Sequence, residues 1–257
     1  MDSLSVQAKE FVQLVLRSSA GVALTGAGIS TESGIPDYRS PDTGLWGKMD
    51  QSVVSLEGFL RQPTQYYSFA VDLYPVRRVA KPNPAHYLLA ELEKRKLLKG
   101  VITQNIDGLH YDAGSSTVHE LHGSLRQAVC LNCGLLYQMD GVMERVISGE
   151  NPPLCSECSG VLKPNAVFFG EMLPRVPWEM ALDLTSHTDL FLVVGSSLQV
   201  SPVNILPDIA LRAGAKLIIV NLMPTPYDTE ATLVVKDKVG VFASIVLELL
   251  RSEATYD

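Results

Sequence analysis

The sequence lacks the features of a membrane-bound or nucleic-acid-binding protein. No apolar run is long enough to cross a bilayer. The N-terminal region also lacks the basic flank, apolar centre and small-residue cleavage site of a signal peptide. Basic residues number 21 against 28 acidic ones, which leaves a net charge of −7. This acidic balance disfavours a main role in binding nucleic acid or an anionic membrane. We therefore expect a cytoplasmic protein with neither of these partners.

Cysteine is scarce, and the four cysteines of the 257 residues fall in two Cys-x-x-Cys pairs. In a reducing cytosol such cysteines serve as metal ligands more often than as disulfides. Cys130 and Cys133 are separated from Cys155 and Cys158 by roughly 20 residues, the spacing of a zinc ribbon. Four sulfur ligands leave no open coordination position, so the sequence predicts one structural Zn²⁺. The alternative, a redox dithiol or a chance pairing, poorly explains two matched pairs.

Internal repeats and low-complexity tracts are also absent. The 257 residues, 46% of them hydrophobic, suffice for one large domain with a small insert. Apolar runs at 22–24, 100–103, 190–194 and 216–221 predict buried strands, with helical patterns between them. Such alternation indicates a parallel sheet covered on both faces. The predicted fold class is α/β, a Rossmann-like doubly wound parallel sheet with a small zinc-ribbon insert and a helical sub-module.

Changes in composition along the chain predict the domain boundaries. The segment 41–82 is rich in aromatic residues, and Pro63 and Pro75 should divide it into short helices. The segment 126–164 holds the cysteines, shows little apolar periodicity and is predicted to be the zinc-ribbon module. The large Rossmann-like domain is predicted to comprise three segments, 1–40, 83–125 and 165–257.

Three local features complete the structural prediction. Pro84 suits the first position of a helix that begins after the turn containing Asn83. A helix at 202–213 is expected to be disturbed at Pro207. His119 and His122 are expected to share one short strand.

A glycine-rich turn follows the first predicted strand. Gly26 and Gly28 allow the backbone to turn sharply and approach a ligand, as phosphate-binding turns of α/β proteins do. Thr31 occupies the place of the third glycine in G-x-G-x-x-G, no helix is expected to start at once, and Gly34 belongs to a breaker cluster. These departures disfavour a dehydrogenase. The glycines alone leave open a dinucleotide site or a tight turn without a ligand.

Histidine is also scarce, so there are few candidates for a general base. Each of the five histidines, taken singly, is more often structural than catalytic. His122 stands out because Gly123 follows it, which allows a close approach, and because it leads into the cysteine-containing insert.

Taken together, the motifs resemble the sirtuins, the family of NAD-dependent protein-lysine deacylases. They appear in family order and span most of the chain, and their wording is closest to class II members. The motifs that carry the resemblance are Gly26-Ala27-Gly28-Ile29-Ser30, Gly34-Ile35-Pro36-Asp37-Tyr38-Arg39, Thr103-Gln104-Asn105-Ile106-Asp107, His122-Gly123, the four cysteines, Phe169-Gly170-Glu171, Gly195-Ser196-Ser197 and Val220-Asn221.

The resemblance implies NAD as the cofactor of the Rossmann-like domain. The pyrophosphate and the neighbouring ribose would be held by Gly26, Ala27, Gly28, Ser196 and Ser197. The adenosine end would be held by Asn221 and Val239. The nicotinamide pocket, its ribose and the loop above it would involve Asp37, Gln104, Asn105, Ile106 and Asp107. Further cofactor-binding residues implied by the resemblance are Ser30, Tyr38, Arg39 and Gly195.

The resemblance also implies the reaction. The acyl group of a protein lysine would pass to ADP-ribose, which yields nicotinamide, O-acyl-ADP-ribose and free lysine. His122 would act as general base on a ribose hydroxyl, and Asn105 is the second implied catalytic residue. An extended acyl-lysine peptide would bind by strand addition. The implied peptide-binding residues are Val167, Phe168, Gly170, Gln199 and Val200.

One departure from the family pattern and one missing motif bear on the substrate. Tyr38 stands where most members carry Phe, which keeps an aromatic ring and adds a hydroxyl. Members selective for acidic acyl groups carry a Tyr-x-x-Arg pair in the helical segment. The nearest match here begins at Tyr67 and has Ala70 in place of the Arg. We therefore expect acetyl or longer apolar acyl groups, with no preference for succinyl or malonyl lysine.

Two rival functions remain open at this point. An NAD glycohydrolase or mono-ADP-ribosyltransferase would use the same cofactor pocket, although bare glycohydrolysis has less need of a base such as His122. A zinc-ribbon binding module with a non-catalytic large domain is the rival from another class. The polar residues clustered at the ends of predicted strands weigh against it.

Overall fold

The structure, a computed structural model, describes residues 3–38, 44–47 and 50–253. Its main feature is a six-stranded parallel sheet. The strands of this sheet are β1 (Gly21–Thr25), β2 (Leu98–Thr103), β3 (Val118–Glu120), β7 (Leu190–Val194), β8 (Lys216–Val220) and β9 (Leu233–Val235). Their spatial order is β3-β2-β1-β7-β8-β9. Counted within the sheet, this is the 3-2-1-4-5-6 order of doubly wound dinucleotide-binding folds. The predicted fold class is confirmed.

Helices cover both faces of this sheet and form two cores. Alternate residues of β1 point to opposite faces, so Ala23 packs in the first core and Leu24 in the second. This double burial explains why the strands are continuous apolar runs. The first core is covered by α1 (Ser3–Leu16), α4 (Pro84–Lys94) and α9 (Val239–Glu253), and the second by α7 (Arg175–Ser186) and α8 (Leu206–Arg212). The short helix α5 (Leu109–Asp112) lies between β2 and β3 in the chain.

A smaller unit contains a second sheet and a third core. Its antiparallel strands are β4 (Gly123–Cys130), β5 (Leu136–Gln138) and β6 (Leu162–Ala166), in the order β5-β4-β6. The helices α2 (Leu56–Arg61), α3 (Pro63–Val79) and α6 (Met139–Ile147) contribute to the same core. Phe59 and Phe168 meet edge to face there, with ring centroids 5.5 Å apart. The helical segment and the cysteine-containing insert therefore pack together as one unit.

Of two expectations about the smaller unit, one was partly right and one was wrong. Pro63 does divide the helical segment as predicted, because α2 ends at Arg61 and Pro63 is the first residue of α3. Pro75 does not divide it, because α3 continues through Pro75 to Val79. The insert does have apolar periodicity, because α6 buries Met139, Val142 and Val146 on one face.

Two expectations about the turns of the large domain were also wrong. A 3-10 helix, Ala27–Ser33, begins directly after Gly26. His122 lies in the turn after β3, which ends at Glu120, and so does not share a strand with His119.

Two prolines of the large domain lie at helix starts. The predicted start of α4 is confirmed, because Pro84 is in the first turn and the Asn83 side chain accepts a hydrogen bond from the N–H of Ala85. The helix expected at 202–213 is interrupted next to Pro207, as predicted. A separate 3-10 turn, Val203–Ile205, precedes α8, and Pro207 lies in the first turn of α8, where its missing N–H is tolerated.

Of the helices within the described ranges, none combines the length and apolar character that crossing a membrane requires.

Candidate active site

A cleft of about 1240 Å³ lies at the carboxyl ends of the parallel strands. Its wall includes residues that directly follow β1, β2, β7 and β8. The strand order reverses between β1 and β7, and this switch point is where open α/β sheets bind ligands. The volume exceeds the roughly 300–1,000 Å³ of pockets for drug-sized molecules, so the cleft has room for a dinucleotide and part of a second substrate.

The glycine turn after β1 packs against the turn after β7. The N–H of Gly26 donates to the carbonyl of Val194 at 3.3 Å, and the N–H of Gly28 donates to the carbonyl of Gly195 at 2.8 Å. The N-cap residue of the 3-10 helix that starts at Ala27 is Gly26, which has no side chain with which to cap it. Gly26, Ala27 and Gly28 all line the cleft, so this part of its wall consists largely of backbone, which a phosphate can approach closely.

Gln104 connects the ends of three strands. Its N–H donates to the carbonyl of Thr25 at 3.0 Å, and its side-chain amide donates to the hydroxyl of Ser196 at 2.9 Å. Asn221 follows β8, and its side chain donates to the carbonyl of Met223 at 2.7 Å. These bonds fix polar groups along one edge of the sheet.

Behind the cleft wall, Asn105 is held by a buried hydrogen-bond network. Its side-chain amide donates to the hydroxyl of Ser30 at 3.1 Å, and that hydroxyl donates to the carboxylate of Asp107 at 2.7 Å. The ring of His86 lies 3.5 Å from the same hydroxyl. Burial lowers the pKa of His86 to about 4, against the opposing charge of Asp107. Asn105 lines the cleft, whereas Ser30 and Asp107 support it from behind.

His122 lines the same cleft. Its Nδ1 atom lies 3.0 Å from the backbone carbonyl oxygen of Gln104. Because a carbonyl can only accept, Nδ1 carries the proton, and Nε2 is left as the acceptor of the neutral ring. Burial lowers the pKa of His122, and the bond to Gln104 opposes this effect. The neutral ring is therefore available as a base at neutral pH.

Most other predicted site residues also line the cleft. Asp37 and Tyr38 belong to its wall, whereas Arg39 lies outside the described residues. The remaining predicted residues in the wall are Ile106, Gly195, Ser196, Ser197 and Val239, and the five predicted peptide-binding residues Val167, Phe168, Gly170, Gln199 and Val200.

Part of the wall was not predicted from the sequence. Tyr66, Ala70 and Arg77 lie on one face of α3 and line the cleft. Burial raises the pKa of Tyr66 to about 12, although the Arg77 guanidinium opposes this. Tyr67 is instead fully buried, and its hydroxyl donates to the carbonyl of Leu162. Ala70 and Arg77 follow Tyr66 by four and eleven residues, a spacing that places all three on one face of a helix. This spacing was the signal in the sequence from which a common role could have been predicted.

The four cysteines form a separate cluster. Their sulfur atoms all lie within 4.8 Å of one another, with Cys130 and Cys158 at 3.4 Å and Cys133 and Cys155 at 3.6 Å. Four ligands at the Zn–S distance of about 2.3 Å lie about 3.8 Å apart in a tetrahedron. The donor set and its geometry therefore fit one structural Zn²⁺.

The fold and the cleft place the chain in the dinucleotide-binding class of α/β proteins, with a four-cysteine module added. Within that class the chain belongs to the Sir2 family, because the Sir2 family model matches residues 26–202. This confirms the resemblance to sirtuins.

Relatives and solved structures agree with this assignment. An NAD-dependent protein deacetylase of Thermotoga maritima is 46% identical over 241 residues, 93% of this chain and 97% of the relative. NAD-dependent protein deacetylase 2 of Caldanaerobacter subterraneus subsp. tengcongensis is 43% identical over 245 residues, 95% and 96% of the two chains.

Two solved structures are also similar. A Sir2 structure with a deacetylated p53 peptide and 3′-O-acetyl ADP ribose has a TM-score of 0.90 at 45% identity, and the match covers 93% of this chain and 97% of that one. The structure of Sir2Tm bound to a propionylated peptide has a TM-score of 0.86 at 44% identity, with the same coverage.

Proposed function

We propose that this protein is an NAD-dependent protein-lysine deacylase that removes acetyl and longer apolar acyl groups. The observation that carries the proposal is the position of His122, which presents an unprotonated Nε2 in the same cleft as the glycine turn. The named activity of the relatives and the propionylated peptide of one similar structure support it. The cytoplasmic location stays a prediction.

The cleft residues fit a dinucleotide. Gly26 and Gly28 bring backbone close to the switch point, where a pyrophosphate would lie. Asn221 would hold the adenine ribose, and Asn105 would hold the nicotinamide end. When bound, NAD supplies a ribose carbon that loses nicotinamide and an ADP-ribose that receives the acyl group.

The residues around His122 would then direct the proton transfer. The carbonyl of Gln104 fixes the ring in the Nδ1–H tautomer, so Nε2 accepts a proton from a ribose hydroxyl. Apolar side chains, including Ile106, Leu125 and Phe168, line the cleft and would exclude water that would otherwise hydrolyse NAD before the acyl-lysine reacts. Holding both substrates in one cleft lowers the barrier through positioning.

Mass spectrometry of the products tests the proposal. With NAD and an acetyl-lysine peptide, the wild type should yield nicotinamide, free lysine peptide and O-acetyl-ADP-ribose, and His122→Ala should yield almost none. Nicotinamide release that is independent of the peptide would instead favour the glycohydrolase. Acetyl-, octanoyl- and succinyl-lysine peptides compared side by side test the acyl preference, and a dominant succinyl rate would contradict it.

A further inference from the structure

Lys163 is a buried cation in β6, which leads directly into residues 167–171, the segment that holds the predicted peptide-binding residues Val167, Phe168 and Gly170. Only 3% of the residue is exposed. Its ammonium group donates to the carbonyls of Ala166 at 2.7 Å and Pro164 at 3.2 Å, and lies 2.8 Å from the carboxylate of Glu171. It also lies 4.2 Å from the centre of the Phe168 ring. Every hydrogen of the ammonium group therefore has a partner.

Glu171 links this cation to the backbone of the segment. The carboxylate oxygen that faces Lys163 also accepts a 2.7 Å hydrogen bond from the N–H of Phe168. The N–H of Glu171 donates back to the carbonyl of Phe168 at 3.0 Å. Gly170, with φ of 92°, provides the left-handed residue that this turn requires.

The rest of the segment is tied to its neighbours. The N–H of Val167 donates to the carbonyl of His122 at 2.8 Å. The N–H of Phe169 donates to the carbonyl of Val54 at 3.0 Å, and the carbonyl of Phe169 accepts from the N–H of Leu56 at 2.9 Å. The backbone of this segment is thus coupled directly to the candidate base.

Lys163 lies behind the wall of the cleft. Val167 and Glu171 line both the cleft and a second cavity of about 760 Å³, whereas Lys163 lines only the second cavity. Its effects on a peptide in the cleft would therefore pass through the segment rather than through direct contact.

We propose that the Lys163–Glu171 ion pair is a positioning device that holds residues 167–171 in the conformation that receives the acylated peptide. This inference rests on the proposed deacylase function. Lys163 is buried and the Glu171 side chain is 25% exposed, and both are tied to backbone groups of the segment, so we expect this pair to fix geometry more than it adds stability. Losing it should weaken peptide binding and leave the NAD site intact.

Steady-state kinetics with NAD and an acetyl-lysine peptide test the inference. In Lys163→Met the KM for the peptide should rise about tenfold or more, and the KM for NAD should change less than about twofold. Lys163→Arg keeps the charge and should recover most of the peptide affinity. Lys216→Met removes an exposed lysine from the start of β8 and is the matched control.

A second variant distinguishes weaker peptide binding from misfolding. Lys163→Met leaves Glu171 without its cation, so the double variant Lys163→Met/Glu171→Gln removes both charges and should fold even where the single variant does not. It should still show the raised KM for the peptide. An unchanged KM for the peptide in a folded variant would overturn this inference and leave the proposed function standing. A wild type that turns over no acetylated peptide overturns the proposed function, and the inference with it.

Discussion

The N–H of Gly28 donates a 2.8 Å hydrogen bond to the carbonyl oxygen of Gly195. A Cβ atom on Gly28 would lie 2.7 Å from that oxygen and 3.0 Å from the Cα atom of Gly195. Both are backbone atoms, so an alanine there must force the two turns of the switch point apart. The close contact between the turns therefore excludes any side chain at position 28.

We therefore expect Gly28→Ala to lose NAD binding. NAD at 100 times its Kd should stabilise the wild type by about 2.7 kcal/mol and should barely change the melting temperature of the variant. Gly141→Ala is the control, because among the described residues no atom beyond the adjacent residues and backbone of its own helix lies within 4 Å of its added Cβ. A full NAD-induced shift in Gly28→Ala would contradict the prediction.

The pH dependence of turnover should report His122. Burial lowers its pKa below the ordinary value of about 6.5. The base form is the neutral ring, so kcat/KM should rise with pH through a midpoint below about 6.5 and then level off. His187→Ala removes an exposed histidine and should leave the profile unchanged. A midpoint above that value would count against His122 as the base.

Much of the large domain could be predicted because its signals are local. The strands are buried on both faces, so runs such as 190–194 are continuously apolar. Polar residues such as Gln104 and Asn221 follow these strands directly, and parallel strands bring their carboxyl ends to one edge. The positions of these cleft residues therefore follow from the order of strands and polar residues along the chain.

The smaller unit was harder to predict because its core joins distant segments. Tyr67 of α3 bonds to Leu162 of β6, 95 residues away. Pro75 is exposed and lies near the end of α3, where losing one helical bond costs less than the burial of Tyr66 and Ala70 contributes. Tertiary packing thus overrides the proline signal.

Zinc binding should depend on Gly160. A Cβ atom there would lie 2.7 Å from the Cβ of Asn132 and 2.9 Å from the Sγ of Cys130. We expect one zinc per wild-type chain by atomic absorption, and a loss of zinc affinity of about tenfold or more in Gly160→Ala. Gly141→Ala, in the same insert, should retain wild-type affinity. Equal zinc retention in a chelator titration of both variants would refute this.

Acid should destabilise the protein through two buried histidines, His86 and His110. The hydroxyl of Thr25 donates to Thr103 at 2.8 Å, so it accepts from Nε2 of His110 at 2.9 Å. Among the described residues, Nδ1 of His110 has no hydrogen-bond partner. Burial, together with a smaller effect of the neighbouring His86, lowers the pKa of His110 to about 3.

Over the pH range in which histidines of the unfolded chain take up protons, His86 and His110 stay neutral in the folded state. As the pH falls from about 6.5 towards their folded pKa values, stability should therefore decrease by up to about 1.4 kcal/mol per pH unit for each histidine.

His110→Gln keeps a donor for Thr25 but does not titrate, so urea unfolding between pH 6 and pH 4 should show a slope of stability against pH that is smaller by about one proton. Acidic side chains also titrate in this range, but their contribution is common to both proteins and cancels in the comparison. His187→Gln should retain the wild-type slope, because that ring is exposed. A wild-type slope in His110→Gln as well would mean that His110 takes up its proton in the folded protein, against the prediction from its burial.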